Sequence, residues 1–491
     1  MRKAITLLPV AALLVSGLAS ADTLLQVYEK AMRSDPLIRE AEANMLATQE
    51  GKPIARGALL PQVNGRMNFA KTGASGTSTT FFGTGQSTRV IDSRDSDARN
   101  WNLELRQSVF RWDQWVRLSQ AGKQSAQADV DYQSAQQDLV IRVAEAYFRV
   151  LAAEDTLASE QAAKDAIGRQ LEQAQKRFEV GLIAITDVQE AQAAYDQALA
   201  AEILAKRVLA NQQELLRAII DEAPPRLAKP VDNLPLEMPD PADENQWVDL
   251  AMQQNRSLIS SQIGVEIAKD DVSVARTGHY PTLDFVVGRN NTDNEGFSRS
   301  PCSIPTGCRD PLDPADPSDP PTLPLDPFGT IQRNPTGTDL ENDSLSLQFA
   351  IPIFSGGTTS ARVQQAVYLH RASRERLERT ARETERQTRD AYLGVITDIS
   401  RVQALKQAFE SAKTALKATE AGYDVGTRTT VDVLDARRSV FIAETVYLRS
   451  RYDYLINSLR LKQAAGTLTT DDIAQIDNLL TTASAAPEPA A

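Results

Sequence analysis

Histidine is almost absent from this 491-residue chain, which carries only His279 and His370. Neither has cysteines or carboxylates at ligand spacing, so a histidine-based metal or catalytic site has little support and no cofactor is expected. The patterns G-x-S-x-G and H-E-x-x-H are both missing, which counts against a hydrolase; no enzyme activity is expected. Basic residues are outnumbered, 53 Lys and Arg against 65 Asp and Glu, for a formal charge of −12. That balance argues against nucleic acid, whose phosphates are met by Lys and Arg patches. No window reaches the roughly 20 apolar residues that a transmembrane helix needs. A membrane-embedded form of this chain is therefore not embedded by helices.

What is present begins with an export signal over residues 1–21. Arg2 and Lys3 start it, Ala4 to Val15 is apolar except for Thr6 and Pro9, and Ala19-Ser20-Ala21 supplies small residues for cleavage. In an exported chain the two cysteines, Cys302 and Cys308, can close a small disulfide loop, with a pair of free thiols as the alternative.

The chain writes itself twice. At an offset of 220, Ala31-Met32 matches Ala251-Met252 and Leu60-Pro61-Gln62-Val63 matches Tyr280-Pro281-Thr282-Leu283. At an offset of 245, Ala146-Tyr147 matches Ala391-Tyr392, Val180-Gly181 matches Val425-Gly426, and Asp187-Val188 matches Asp432-Val433. The register changes between residues 283 and 354, where the Asp/Pro tract DPLDPADPSDPPTLPLDPFG (310–329) reads as a long exposed loop. The first repeat takes residues 22–222 and the second 246–468, joined by a Pro-rich strap at 223–245 and followed by a flexible tail at 469–491.

Each repeat holds a helix, two strands, a long helix and a return helix. Strands are expected near 62–70, 100–110, 282–289 and 343–352, because Val63, Met67 and Phe69 alternate with Asn64, Arg66 and Asn68, and Leu345, Leu347 and Phe349 with Ser344, Ser346 and Gln348. Such strands of about ten residues suit a tilted bilayer crossing. Spans 113–179 and 358–424 hold no proline, and a helix of 67 residues is about 100 Å long. Helices of that length pack side by side in coiled coils or helical barrels; the return helix of the second repeat is expected at 430–465. Four strands leave open edges that hydrocarbon does not tolerate. Two chains would give a filled eight-stranded barrel, whereas three give twelve strands and a lumen.

The stretches GYDVGTRTTVDVLDA (422–436), RYDYLINSLRLKQAAGTL (451–468), VGLIAITDVQEA (180–191) and LLPQV (59–63) carry a name: the chain resembles the TolC family of outer-membrane efflux proteins over nearly its whole mature length. The resemblance implies a mixed α and β membrane protein, a homotrimer with a twelve-stranded barrel in outer-membrane lipid and a helical barrel in the periplasm. It implies an exit duct working with a periplasmic adaptor (membrane fusion) protein and an inner-membrane transporter of ABC or RND type, for drugs or secreted polypeptides. Each repeated turn would then join a long helix to its return partner at the periplasmic tip. The same resemblance places Asp432 and Asp435 at the pore constriction, and has Tyr423 and Arg428 tie the second turn to Asp187 and Thr186 of the first. From the residues alone, the i,i+3 spacing puts both carboxylates on one helix face. The competing reading, a structural tether that spans the periplasm without conducting, needs neither a polar strand face nor an acidic tip.

Overall fold

The computed structural model describes residues 21–81, 87–224, 226–231, 233–299 and 333–481. The export signal up to residue 20, Cys302, Cys308 and the Asp/Pro tract lie outside the described residues. In chain order the elements are α1 (Leu24–Ser34), α2 (Pro36–Gln49), α3 (Gly51–Gly57), β1 (Gln62–Phe81), β2 (Ser87–Phe110), α4 (Trp112–Glu179), α5 (Ile185–Ile220) and β3 (Lys229–Pro230). There follow α6 (Glu244–Gln254), α7 (Arg256–Thr277), β4 (Thr282–Arg299), β5 (Arg333–Ala350), α8 (Thr358–Asp424), α9 (Thr430–Ala464), α10 (Thr470–Asp477) and β6 (Leu480–Thr481). Helices, a strand pair, a long helix and a return helix thus appear twice in the same order. The chain divides into two compact units, and α4, α7 and α8 each carry residues of both.

The smaller unit, residues 51–121 and 270–367, is built on one antiparallel sheet in the order β1-β2-β4-β5. Its register makes rows across all four strands. Val63, Leu105, Val287 and Leu345 form one row, while Asn64, Glu104, Gly288 and Ser344 form its neighbour on the opposite face. Period-two patterning therefore sorts the sheet into an apolar and a polar face. The apolar face is uncovered in the single chain: Val63 is 62%, Leu345 73% and Phe349 63% exposed. Near the start of β4, Asp284 is buried and accepts from Arg106 Nη2 at 2.6 Å and Arg111 Nη2 at 3.3 Å, beside the irregularity between Ser108 and Phe110 in β2.

The strands are longer than the ten residues expected, at 20, 24, 18 and 18 for β1, β2, β4 and β5. Apolar alternation fades past Phe69 into Gly, Ser and Thr, but ladder hydrogen bonds do not need it, and pairing runs on to Phe81 opposite Ser87.

The larger unit, residues 21–50, 122–269 and 368–481 of the described chain, is helical. Thr23 starts α1 with a capping box to Gln26, and Asp35 caps α2 ahead of Pro36 at its first position. Leu24, Val27 and Ala31 of α1 then enter a core with Leu139, Val143, Tyr147 and Leu151 of α4, Leu216 and Ile220 of α5, and Leu455 and Leu459 of α9. Each of the Leu, Ile and Val side chains among them is worth about 1.5–3 kcal/mol when taken out of water. Tyr147 is fully covered, and its hydroxyl donates to the carbonyls of Ala228 at 2.7 Å and Asp22 at 3.1 Å, which fixes the strap to α4.

The tail at 469–491 was expected to be flexible, and up to Thr481 it is folded. Thr469 and Asp472 form a capping box for α10, Lys462 meets Asp472 at 2.6 Å, and Ile473 is 1% exposed in the core. β6 then pairs with β3 of the strap, Lys229 opposite Thr481 and Pro230 opposite Leu480.

Candidate functional site: the paired hairpin turns

Both long helices end in the same way. Gly181 has φ +76° and Gly426 φ +81°, left-handed conformations in which a Cβ is strained. The amide of Leu182 donates back to the carbonyl of Arg177 at 2.9 Å, and that of Thr427 to Gly422 at 2.9 Å, which is the 6→1 bond of a Schellman motif. The repeated Val-Gly is thus a helix stop, followed within a few residues by a new helix running back.

The two new helices begin differently. At the start of α9, Thr429 Oγ1 accepts from the amide of Asp432 at 3.2 Å, and Asp432 Oδ2 accepts from the amide of Thr429 at 2.9 Å. At the start of α5 the matching position is Ala184, which offers no side-chain cap, so Asp187 has no reciprocal partner there. Hydrogen bonds from Thr429, with Arg428 nearby, hold the Asp432 carboxyl below the usual carboxylate range. Asp435, one turn further along α9, is exposed, and its carboxylate has no hydrogen-bond or ion-pair partner among the described residues. One of the two expected constriction carboxylates therefore caps a helix and the other is free.

Tyr423 is half-buried at the end of α8. The Arg177 guanidinium of α4 lies 5.0 Å from its ring centroid, and its hydroxyl is 3.5 Å from Thr430 Oγ1. Arg428 and Thr186 are exposed and Asp187 half-buried. Within one chain no hydrogen bond or ion pair joins Tyr423 or Arg428 to Thr186 or Asp187. The first hairpin closes on itself through Leu171, Ala174, Val188 and Ala191, and the second reaches the first through Leu434, buried with Ile167 and Ala198. Sequence reasoning passed over Arg177 and Leu434. Leu434 had a weak signal as an apolar residue next to Val433, but its partners lie on other helices.

A polar surface also lines the sheet, where Gln62, Arg106, Val286 and Ser346 form one row and Arg66, Asn102, Asn290 and Asn342 another. It pairs a water-compatible face with an apolar one on the same strands.

The family model described as "Outer membrane efflux protein" matches residues 27–221 and 247–467, one match for each repeat. Outer membrane protein TolC of Escherichia coli (strain K12) is 36% identical over 471 residues, 95% of this chain and 86% of that protein. The alkaline protease secretion protein AprF of Pseudomonas aeruginosa is 28% identical over 459 residues, 92% of this chain and 85% of that one. Among solved structures, that of CusC, described in terms of folding and transmembrane channel formation, superposes with a TM-score of 0.67 at 16% identity, covering 91% of this chain and 92% of the other.

Proposed function

The chain belongs to the outer membrane efflux protein family, the family of TolC, and from that membership we propose that it is the outer-membrane exit duct of a tripartite export system. It sits in the outer membrane and extends into the periplasm, and it catalyses no reaction. The observation that carries the reading is the sheet, with an uncovered apolar face, a polar face behind it and β1 and β5 as its outer strands. An apolar face of that extent needs a cover, and unpaired strand edges in hydrocarbon cost several kcal/mol for each backbone group. Closure by two more copies satisfies both demands and gives a twelve-stranded barrel whose polar faces line a lumen. A tether that does not conduct would gain nothing from that polar lining.

In the assembled homotrimer, Asp432 and Asp435 supply six carboxylates around the periplasmic opening, which attract cations. Tyr423 and Arg428 tie the second turn to Asp187 and Thr186 where hairpins meet in the closed tip. A periplasmic adaptor engages this tube and an inner-membrane transporter of ABC or RND type supplies the energy. Cargo is a drug or a secreted polypeptide. Purified protein should run as heat-sensitive trimers in detergent and form cation-selective pores in planar bilayers. A stable monomer by light scattering, or trimers that never conduct, would refute the duct.

A further inference from the structure

Arg437 stands on α9 two residues beyond Asp435, and its guanidinium joins three helices. Nε and Nη2 donate to Glu420 Oε1 of α8 at 3.1 and 2.8 Å, and Nη1 donates to the main-chain carbonyl of Ala166 in α4 at 3.3 Å. The Ala166 carbonyl lies inside a helix and accepts this bond on a lone pair that the helical ladder leaves free. The Arg437 side chain is only 22% exposed. One turn earlier on α9, Leu434 packs against Ile167, the residue after Ala166. The polar and the apolar attachments thus fall on the same stretch of α4.

We propose that Arg437 is a positioning residue of the gate: by binding α8 and α9 to α4 within one protomer, it holds the second hairpin against the first and favours the closed tip. The proposal rests on the duct reading above and on movement of the second hairpin. Opening then requires the Ala166 carbonyl to give up its guanidinium while Arg437 keeps or exchanges Glu420. A planar fork with five donors can serve a carboxylate and a carbonyl at once, whereas a lysine ammonium in the same place serves the carboxylate and loses the fork. The adjacent Arg438 provides an internal control, since among the described residues it reaches only Gln197, at 3.5 Å and from an exposed position.

Single-channel recording of the full-length protein measures the open fraction, and trimer melting is followed on the same samples. Arg437→Met should raise the open fraction by about tenfold or more, the weight of one charge-assisted hydrogen bond in a two-state balance. Arg437→Lys and Glu420→Gln should fall between it and the parent, and Arg438→Met should match the parent, with trimer melting unchanged throughout. A parental open fraction in Arg437→Met and Glu420→Gln overturns the proposal. So does a rise that tracks lost trimer stability and is no smaller in Arg437→Lys, which marks a merely structural role. If Arg437→Met fails to assemble, Glu420→Gln decides alone. Tyr423→Phe with Arg428→Ser is recorded alongside. If that pair opens the pore and the Arg437 variants do not, the gate stands and only this assignment falls; if none opens it, the gate reading falls too.

Discussion

Single substitutions at the second turn should separate two jobs that the pair of carboxylates performs. Thr429→Ala removes the hydroxyl that accepts from the Asp432 amide at 3.2 Å and leaves both carboxylates in place. Loss of such a cap costs about 0.5–2 kcal/mol, typically about 1 in each protomer. With one such cap in each of three equivalent protomers, independent losses sum to about 3 kcal/mol for the proposed trimer. Asp435→Ala removes a carboxylate with no local partner and should leave stability at the parental level. Heat dissociation of trimers in detergent reads the first effect. Block of bilayer currents by a trivalent cation added on the periplasmic side reads the second. The expected pattern is that Thr429→Ala loses heat stability and keeps the block, Asp435→Ala keeps heat stability and weakens the block about tenfold or more, and Asp432→Ala loses both. The Asp432 and Asp435 double variant should abolish the block. A parental block in Asp435→Ala, or its loss in Thr429→Ala, would refute the division of roles.

Three further outcomes are expected. Tyr423→Phe with Arg428→Ser should raise single-channel conductance and sensitise cells to large antibiotics at normal trimer yield; equal conductance at equal yield ends the gate-link assignment. Leu434→Ala empties a buried site between Ile167 and Ala198 and should cost about 2–3 kcal/mol, read as faster hydrogen exchange at the start of α9, and unchanged exchange there contradicts it. Glu202 is hydrogen-bonded by Lys206 at 2.8 Å and Lys164 at 2.9 Å, which lower its carboxyl from 4.5 to about 2. Because the folded value is depressed, its stabilising contribution is complete above 4.5 and is lost as pH falls through about 2. The gap in trimer heat stability between the parent and Glu202→Gln should hold at neutral pH and close over that acid window, and a gap that persists below it would contradict the pairing.

Much of this protein is legible without coordinates. Proline-free spans fixed by helix propensity became α4 and α8 to within a residue of the limits expected, because every hydrogen bond in such a helix is local and a missing N–H is the surest interruption. Alternation over Val63 to Phe69 and Leu345 to Phe349 marked strands and their two faces, since side-chain direction in a strand follows from position alone. The doubled Val-Gly turn was visible because glycine, with no Cβ, takes at least cost the left-handed φ that stops each long helix.

Where contacts join distant parts of the chain, the tertiary structure decided. The sheet order β1-β2-β4-β5 brings the two repeats edge to edge, and nothing in either repeat names the other as its neighbour. The last segment looked like a tail because eight residues of α10 are too few to be a helix on their own; what holds them is the core around Ile473 and the amide of Leu25 on the Asp477 carboxylate, 452 residues away in sequence. At the turns, the spacing puts Asp432 and Asp435 on one helix face, and the cap that takes Asp432 is itself local, a T-x-x-D pattern from Thr429; only the folded chain shows the Asp435 carboxylate left without a partner among the described residues. The pairings of Arg177 with Tyr423, Leu434 with Ile167 and Arg437 with Ala166 have no local signature that names the partner, because each depends on how separate helices pack, and packing is selected by the whole core rather than by any one stretch of sequence.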